Sequence, residues 1–320
     1  MVTHRQDHTA HWIRYFADRG HEDVQPLAAG VEGAVYRLGD GIVGKVWSGR
    51  RPGGVGLMRR VYEDIAREAE SLPFATPEIL GVEEYEGVLV TYERELGGVP
   101  LRADSAVVAP GPELGARETG ALVTVLRGLA GVPGTEAMRR LAVQGDDRAL
   151  WEGHARFSDA LADLVLRAVR RHGGLLAARV PDLAGVVRET VESLRALPGG
   201  GPVSVVHGDL VPPNIHVDET GVPTAVIDFG FFTTAGDPAF EAAVAAAVWD
   251  MYGPYAERHT VQLTRLFAEE FRYAPDTLVL YQRAYALATY DLFVSGTDGG
   301  DGHFRWCVGL LGRGPLTPPR

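Results

Sequence analysis

His207-Gly208-Asp209-Leu210-Val211-Pro212-Pro213-Asn214, followed shortly by Ile227-Asp228-Phe229-Gly230, decides how this 320-residue chain is read. The first segment sets a carboxylate, Asp209, and an amide, Asn214, on one tight loop. The second brings another carboxylate, Asp228, at the end of a strand-like run. Between them, Ile215–Val217 and Thr224–Ile227 read as two short strands turned by Asp218 to Pro223. A hairpin returns its two ends to one place, so Asn214 and Asp228 become neighbours. Both offer the hard oxygens that Mg2+ prefers. Asp209 lies one loop-width away, placed to accept a proton from a hydroxyl. A turn rich in Asp and Asn can simply cap strands, but the ordered set of three is more specific than that.

Outward from this stretch, the N-terminal part reads as a small sheet with one helix. Residues 8–19 carry Trp12, Ile13, Tyr15 and Phe16 in amphipathic helical spacing. Strand-like runs follow at Val24–Leu27, Val35–Leu38 and Ile42–Trp47, the last two joined by the turn Gly39-Asp40-Gly41. Val61–Ser71 reads as a helix, and Ile79–Val82 and Gly87–Tyr92 as two more strands. Gly97-Gly98-Val99-Pro100 marks a boundary. Beyond it the pattern is helical at 113–130, 136–143, 150–172, 182–197, 237–252, 260–273 and 276–294, with one β island at 203–206, 215–217 and 224–227. We therefore divide the chain into a sheet-rich lobe, 1–96, and a larger helical lobe, 97–320. A cleft between two such lobes is a favoured place for a ligand.

Lys45, on the third strand-like run, is the chain's one lysine, and Asn214 its one asparagine; the other thirty of 31 basic residues are arginine. Lysine is a compact point charge and arginine a planar fork, so the two are not interchangeable at a tight phosphate site. The segment Gly39 to Lys45 fits most of a P-loop pattern. The next residue is Val46, without the hydroxyl that such a loop needs for Mg2+, and the order is turn then strand rather than strand then helix.

The ordered set of Asp209, Asn214 and Asp228-Phe229-Gly230 resembles the protein-kinase catalytic loop and Asp-Phe-Gly motif. With Gly208 where protein kinases place arginine, it is more similar to the aminoglycoside phosphotransferase family, also called the phosphotransferase enzyme family. The resemblance spans nearly the whole chain and is strongest at 203–241. It implies an α+β, bilobal, protein-kinase-like fold, with a small antiparallel-sheet N-lobe and a larger, mostly helical C-lobe. It implies transfer of the γ-phosphoryl group of ATP (or GTP) to a small-molecule hydroxyl, with Mg2+ as cofactor. Asp209 is then the catalytic base, and Asn214 and Asp228 are the metal ligands. Lys45 reaches the nucleotide phosphates. Ala28-x-Gly30-x-x-Gly33-x-Val35 follows the phosphate-covering loop, with Gly30 and Gly33 letting backbone approach the nucleotide. Glu68 is the chosen ion-pair partner of Lys45 on the helix after it, with Glu70 and Glu63 as rivals. Gly236-Asp237-Pro238-Ala239-Phe240-Glu241 is similar to the family's Gly-Asp-Pro-x-x-Asp segment, with Glu241 in place of the second aspartate. Family acceptors include aminoglycosides, macrolides, cyclic peptide antibiotics and metabolites such as choline or homoserine.

Only six residues separate Gly230 from Asp237, which leaves no room for an activation loop on which a peptide could dock. A small hydroxylated acceptor is favoured over a protein, and activity is expected to be constitutive. Acidic candidates for the acceptor wall are Asp250, Glu269, Glu270, Asp291, Asp298 and Asp301. The net charge of −11 argues against a nucleic-acid partner and suits a cationic small molecule. One cysteine, Cys307, excludes an internal disulfide. No apolar run is long enough to span a membrane, and residues 1–6 do not read as a secretion signal, so a cytoplasmic protein is expected. A nucleotide-binding module without transfer activity, on the same fold, is the second reading.

Overall fold

The computed structural model describes residues 2–30, 33–48, 52–68, 72–102, 111–293 and 302–312. The N-terminal part is a five-stranded antiparallel sheet of β1 (Gln25–Gly30), β2 (Gly33–Gly39), β3 (Ile42–Trp47), β4 (Ile79–Tyr85) and β5 (Val88–Arg94), ordered β1-β2-β3-β5-β4. β3 is central, and Lys45 pairs with Val35 on β2 and Thr91 on β5. The β2–β3 turn uses Asp40 and Gly41 at φ of 51° and 71°, so the segment before Lys45 is a hairpin turn and not a P-loop.

Helix α1 (Val2–Ala17) closes one face of this sheet. Its Trp12, Tyr15 and Phe16 bury against Tyr36, Leu38, Val46 and Val90, so alternate residues of the strands meet one helical stripe. The opposite face carries α2 (Pro52–Ala66), whose Val55, Met58, Val61, Tyr62 and Ile65 fall on one stripe and join the main core. Val61–Ser71, expected as helix, is thus the second half of a helix that begins earlier and stops at Ala66.

The remainder is helical: α3 (Ala116–Gly131), α4 (Glu136–Arg139), α5 (Phe157–Ala177), α6 (Leu183–Ala196), α7 (Pro238–Val248), α8 (Ala256–Phe271), α9 (Pro275–Thr289) and α10 (Gly302–Leu311). None of the described helices is long and apolar enough to cross a membrane. Every residue of α7 is buried, which is why Ala242 to Val248 reads as an unbroken apolar run: this helix is packed on all sides. Asp237 caps it, its Oδ1 accepting the Ala239 N–H at 2.8 Å with Pro238 at the first helical position.

Five short strands lie against this body. β8 (Ile215–Val217) and β9 (Pro223–Val226) form the expected hairpin, with Ile215 opposite Val226. β6 (Val99–Pro100) adds to β8, and β7 (Ser204–Val206) pairs with β10 (Thr234–Gly236). The segment before β4 also reaches this hairpin: Ala75 donates its N–H to Thr224 O at 2.9 Å and accepts from Val226 N–H at 3.0 Å.

Candidate active site

The loop between β7 and β8 is held by its own backbone. Val211 donates to Asp209 O at 2.8 Å and Asn214 to Val211 O at 2.9 Å, and Pro212–Asn214 forms one 3-10 turn. Asn214 Nδ2 donates to Asp209 O at 2.9 Å, which fixes the amide plane and directs its oxygen away from the loop. Across the hairpin, Ile227 N–H donates to Asn214 O at 2.9 Å. Asn214 and the residue before Asp228 are therefore bonded neighbours, as the hairpin argument requires.

His207 orders the loop from behind. Its Nδ1 accepts the Asp209 N–H at 3.2 Å, so the ring proton is on Nε2 and donates to Ile227 O at 2.9 Å. Burial pushes this imidazole down to about 4, well below its ordinary value, so it is neutral at physiological pH. One ring thus ties Asp209 to the strand that delivers Asp228.

Gly208 has φ +78°, and a Cβ there would meet Phe232 at 2.7 Å. No side chain fits, which accounts for the absence of an arginine beside Asp209. Its N–H donates to Glu241 Oε2 at 3.0 Å, and its carbonyl accepts from Tyr285 Oη at 3.1 Å. Glu241 is buried on the first turn of α7, and desolvation pushes its carboxyl up to about 7 against the pull of the backbone N–H groups. The longer side chain does reach the loop that carries Asp209. Tyr285 had no signal in the sequence: it is one aromatic of an apolar helix.

Asp228 stands at φ +60°, a region a non-glycine residue enters at some cost, and it does so where the strand must turn its carboxylate into the cleft. Lys45 Nζ donates to Asp228 Oδ1 at 2.6 Å. The lysine side chain is 12 % exposed and the aspartate 46 %, so the pair joins a lysine under the sheet to a carboxylate at the cleft surface. Lys45 Nζ also lies 4.1 Å from the centre of the Trp47 ring.

Other expectations fare differently. Glu68 sits exposed two residues beyond the end of α2, not on the helix. The helix starts at Pro52 and ends at Ala66 because its apolar stripe runs from Val55 to Ile65. Glu63 is exposed and paired within its helix with Arg59 and Arg60, at 3.5 and 3.7 Å. Glu70 lies outside the described residues. Gly30 and Gly33 pair with each other at the β1–β2 turn. The need for glycine at Gly33 comes from the sheet itself, since a Cβ there would sit 1.8 Å from Val46 O, while Gly30 has open space around it. Of the acceptor-wall carboxylates, Asp250 is buried with Oδ2 3.0 Å from His259 Nδ1, and Glu270 pairs with Arg127. Asp298 and Asp301 lie outside the described residues.

No cluster of three or more His, Cys, Asp or Glu able to hold a metal occurs among the described residues. The donor set of Asn214 and Asp228 fits a different kind of site: one amide and one carboxylate oxygen, the remaining positions left for phosphate oxygens and water, as Mg2+ is commonly held.

The family model described as "Phosphotransferase enzyme family" matches residues 23–275. No curated protein sequence matches the chain. Among solved structures, the GDP complex of wild-type aminoglycoside 2'-phosphotransferase-IIIa is similar with TM-score 0.61 and 16 % identity, covering 96 % of each chain. The GDP and kanamycin complex of a second aminoglycoside phosphotransferase, APH(2")-IIia, gives TM-score 0.59 and 17 % identity over 91 % of this chain and 92 % of that one. Macrolide 2'-phosphotransferase MphH from Brachybacterium faecium gives TM-score 0.53 and 20 % identity over 93 % of each. These likenesses establish the kinase-like fold.

Proposed function

The chain belongs to the phosphotransferase enzyme family, and on that premise we propose that it moves the γ-phosphoryl group of ATP or GTP to an alcohol of a small molecule, an aminoglycoside-like or other antibiotic. The observation that carries this reading is the convergence of Asp209, Asn214, Asp228 and Lys45. Asn214 Nδ2 bonds Asp209 O at 2.9 Å, and Lys45 Nζ lies 2.6 Å from Asp228. The antibiotic class is supported by the substrates named for the similar structures, and a resistance role goes with it.

In this reading Asp209 accepts a hydrogen bond from the acceptor hydroxyl, orients the oxygen in line with the γ-phosphorus and takes up its proton as the bond forms. Lys45 donates to oxygens of the nucleotide phosphates, and Trp47 beneath it limits where the ammonium can go. Asn214 and Asp228 would hold Mg2+, which when bound neutralises charge on the β- and γ-phosphates. The neutral His207 keeps Asp209 and the Asp228 strand in fixed relation. Positioning and charge neutralisation supply most of the acceleration, because the transition state is loose and the protein has little covalent chemistry to perform.

The test is Mg2+-dependent nucleotide consumption by the purified protein across a panel of hydroxylated antibiotics and metabolites, with product phosphorylation read by mass. Transfer to at least one antibiotic, abolished by EDTA, is expected. Tight nucleotide binding without transfer to any acceptor would leave a silent nucleotide-binding module instead.

A further inference from the structure

We propose that Trp47, Thr91 and Glu93 are positioning residues for Lys45: a buried hydrogen-bond relay holds the Trp47 ring as the seat from which the ammonium meets the nucleotide phosphates. The proposal rests on the phosphotransferase reading above and adds three residues to it. Lys45 on β3 is paired with Thr91 on β5, and Val43 is paired with Glu93 two residues along. Side chains two apart on a strand share a face, so Lys45, Trp47, Thr91 and Glu93 all project from one side of the sheet. That side is the one away from α1, since Val46 and Val90 pack on α1 while Trp47 joins the core with α2. Lys45 Nζ stands 4.1 Å from the centre of the Trp47 ring. Trp47 Nε1 donates to Thr91 Oγ1 at 3.0 Å, and Thr91 Oγ1 donates to Glu93 Oε1 at 2.6 Å. Trp47, Thr91 and Glu93 are all buried.

The direction of the relay is fixed by its chemistry. An indole N–H can only donate, so Thr91 must accept there, and its single proton must go to Glu93. Hydrogen bonds in series polarise one another, so an acceptor at the far end leaves more electron density on the indole. The face of that ring is what draws a cation. With its N–H held, the ring also cannot turn, and the face stays toward Lys45. A lysine stem is long and flexible, so a fixed seat removes wrong placements of its charge. Asp228 holds the ammonium as well, at 2.6 Å. In the reading above that carboxylate is shared with Mg2+, whereas an aromatic face offers no hard oxygen to a metal. The seat on Trp47 therefore persists when nucleotide enters, and the ammonium needs only to turn from Asp228 to the phosphate oxygens.

The experiment is equilibrium binding of two ligands to the purified protein in the presence of Mg2+. One is a non-hydrolysable analogue of ATP or GTP, whichever binds more tightly, and the other is the matching nucleoside, read by competition. Lys45 meets phosphates and not the base, so disturbing its seat should weaken the triphosphate and leave the nucleoside unchanged. Trp47→Leu should weaken the triphosphate by about tenfold, the scale of a desolvated cation–aromatic contact. Thr91→Val keeps the shape of the side chain but opens the relay, and should cost about threefold. Glu93→Leu, which opens it one link further on, should match Thr91→Val. Thr91→Ser retains the hydroxyl and should bind as the parent does. Equal weakening of triphosphate and nucleoside would reduce the three residues to scaffold and overturn the proposal, as would triphosphate binding indifferent to Thr91→Val. Selective weakening in a protein that transfers phosphate to no acceptor would uphold the seat and remove only the enzymatic reading, whereas a parent that binds no nucleotide would overturn both.

Discussion

Glu241 Oε2 accepts the backbone N–H of Gly208 at 3.0 Å, so a buried carboxyl on α7 holds the residue that immediately precedes Asp209. Its other oxygen, Oε1, is buried without a hydrogen-bond partner. Removing the brace with Glu241→Ala leaves a buried N–H unsatisfied and should lower stability by about 1–3 kcal/mol. It should reduce kcat more than the nucleotide KM, because it loosens Asp209 and not Lys45. Thermal melts and steady-state kinetics check both.

Glu241 and His207 make stability depend on pH with opposing signs. Glu241 is raised in the fold from 4.5 to about 7. The stability it contributes is present in full below about 4.5 and lost as pH rises through 7. His207 is lowered from 6.5 to about 4, so its contribution is present above about 6.5 and lost as pH falls through 4. Each spans roughly 3 kcal/mol at most, and between about pH 4.5 and 6.5 the two slopes cancel. Glu241→Gln keeps an acceptor for Gly208 but removes one slope. Relative to the parent, its stability should fall as pH is lowered from 8 to 5, as denaturant melts at both pH values would show. A constant difference would put the titrating group elsewhere.

Asp209→Asn keeps the shape of the side chain and the loop's backbone bonds. It should fold, bind nucleotide with unchanged affinity and lose about 10²–10⁴ in kcat, the usual worth of a positioned base. Unchanged turnover would remove Asp209 from the chemistry.

Lys45→Arg should be costly, although arginine serves at every other basic position outside the histidines. A planar fork cannot keep both the 2.6 Å bond to Asp228 and the seat over Trp47. A loss of at least about tenfold in kcat/KM is expected, the scale of one charged hydrogen bond of roughly 1.5–3 kcal/mol. Full activity would make the lysine a passive survivor of compositional bias.

Gly208→Ala places a Cβ 2.7 Å from Phe232 at a φ of +78°. Strain and overpacking together should cost about 2–4 kcal/mol. A melt unchanged from the parent would show that the loop can move aside.

Much of this was legible because it rests on local pattern. Strands alternate, and the β8–β9 hairpin follows from two apolar runs around a polar turn, so Asn214 and Asp228 could be brought together by counting. The start of α2 was not legible in that way. Its buried stripe begins at Val55, but Gly53, Gly54 and Gly56 disfavour helix locally, and packing against the sheet overrides them. That shift upstream is what leaves Glu68 beyond the helix end. β10 and β6, of three and two residues, exist only because β7 and β8 offer them partners. Glu241 could be suspected from its segment, whereas Tyr285 acquires meaning only when α9 folds back onto the loop that carries Asp209.

The two hydrogen bonds at Ala75 give the site a cross-tie. They fasten the β9 strand, two residues short of Asp228, to the chain that leads into β4, so the aspartate rides with the sheet that carries Lys45. Asp209 hangs from α7 and α9 through Gly208, and His207 joins it to the same strand end at Ile227. Lys45, Asp228 and Asp209 therefore sit on one bonded chain that crosses between the lobes. The length along which a phosphoryl group would travel is set by those hydrogen bonds rather than by how the lobes happen to lie.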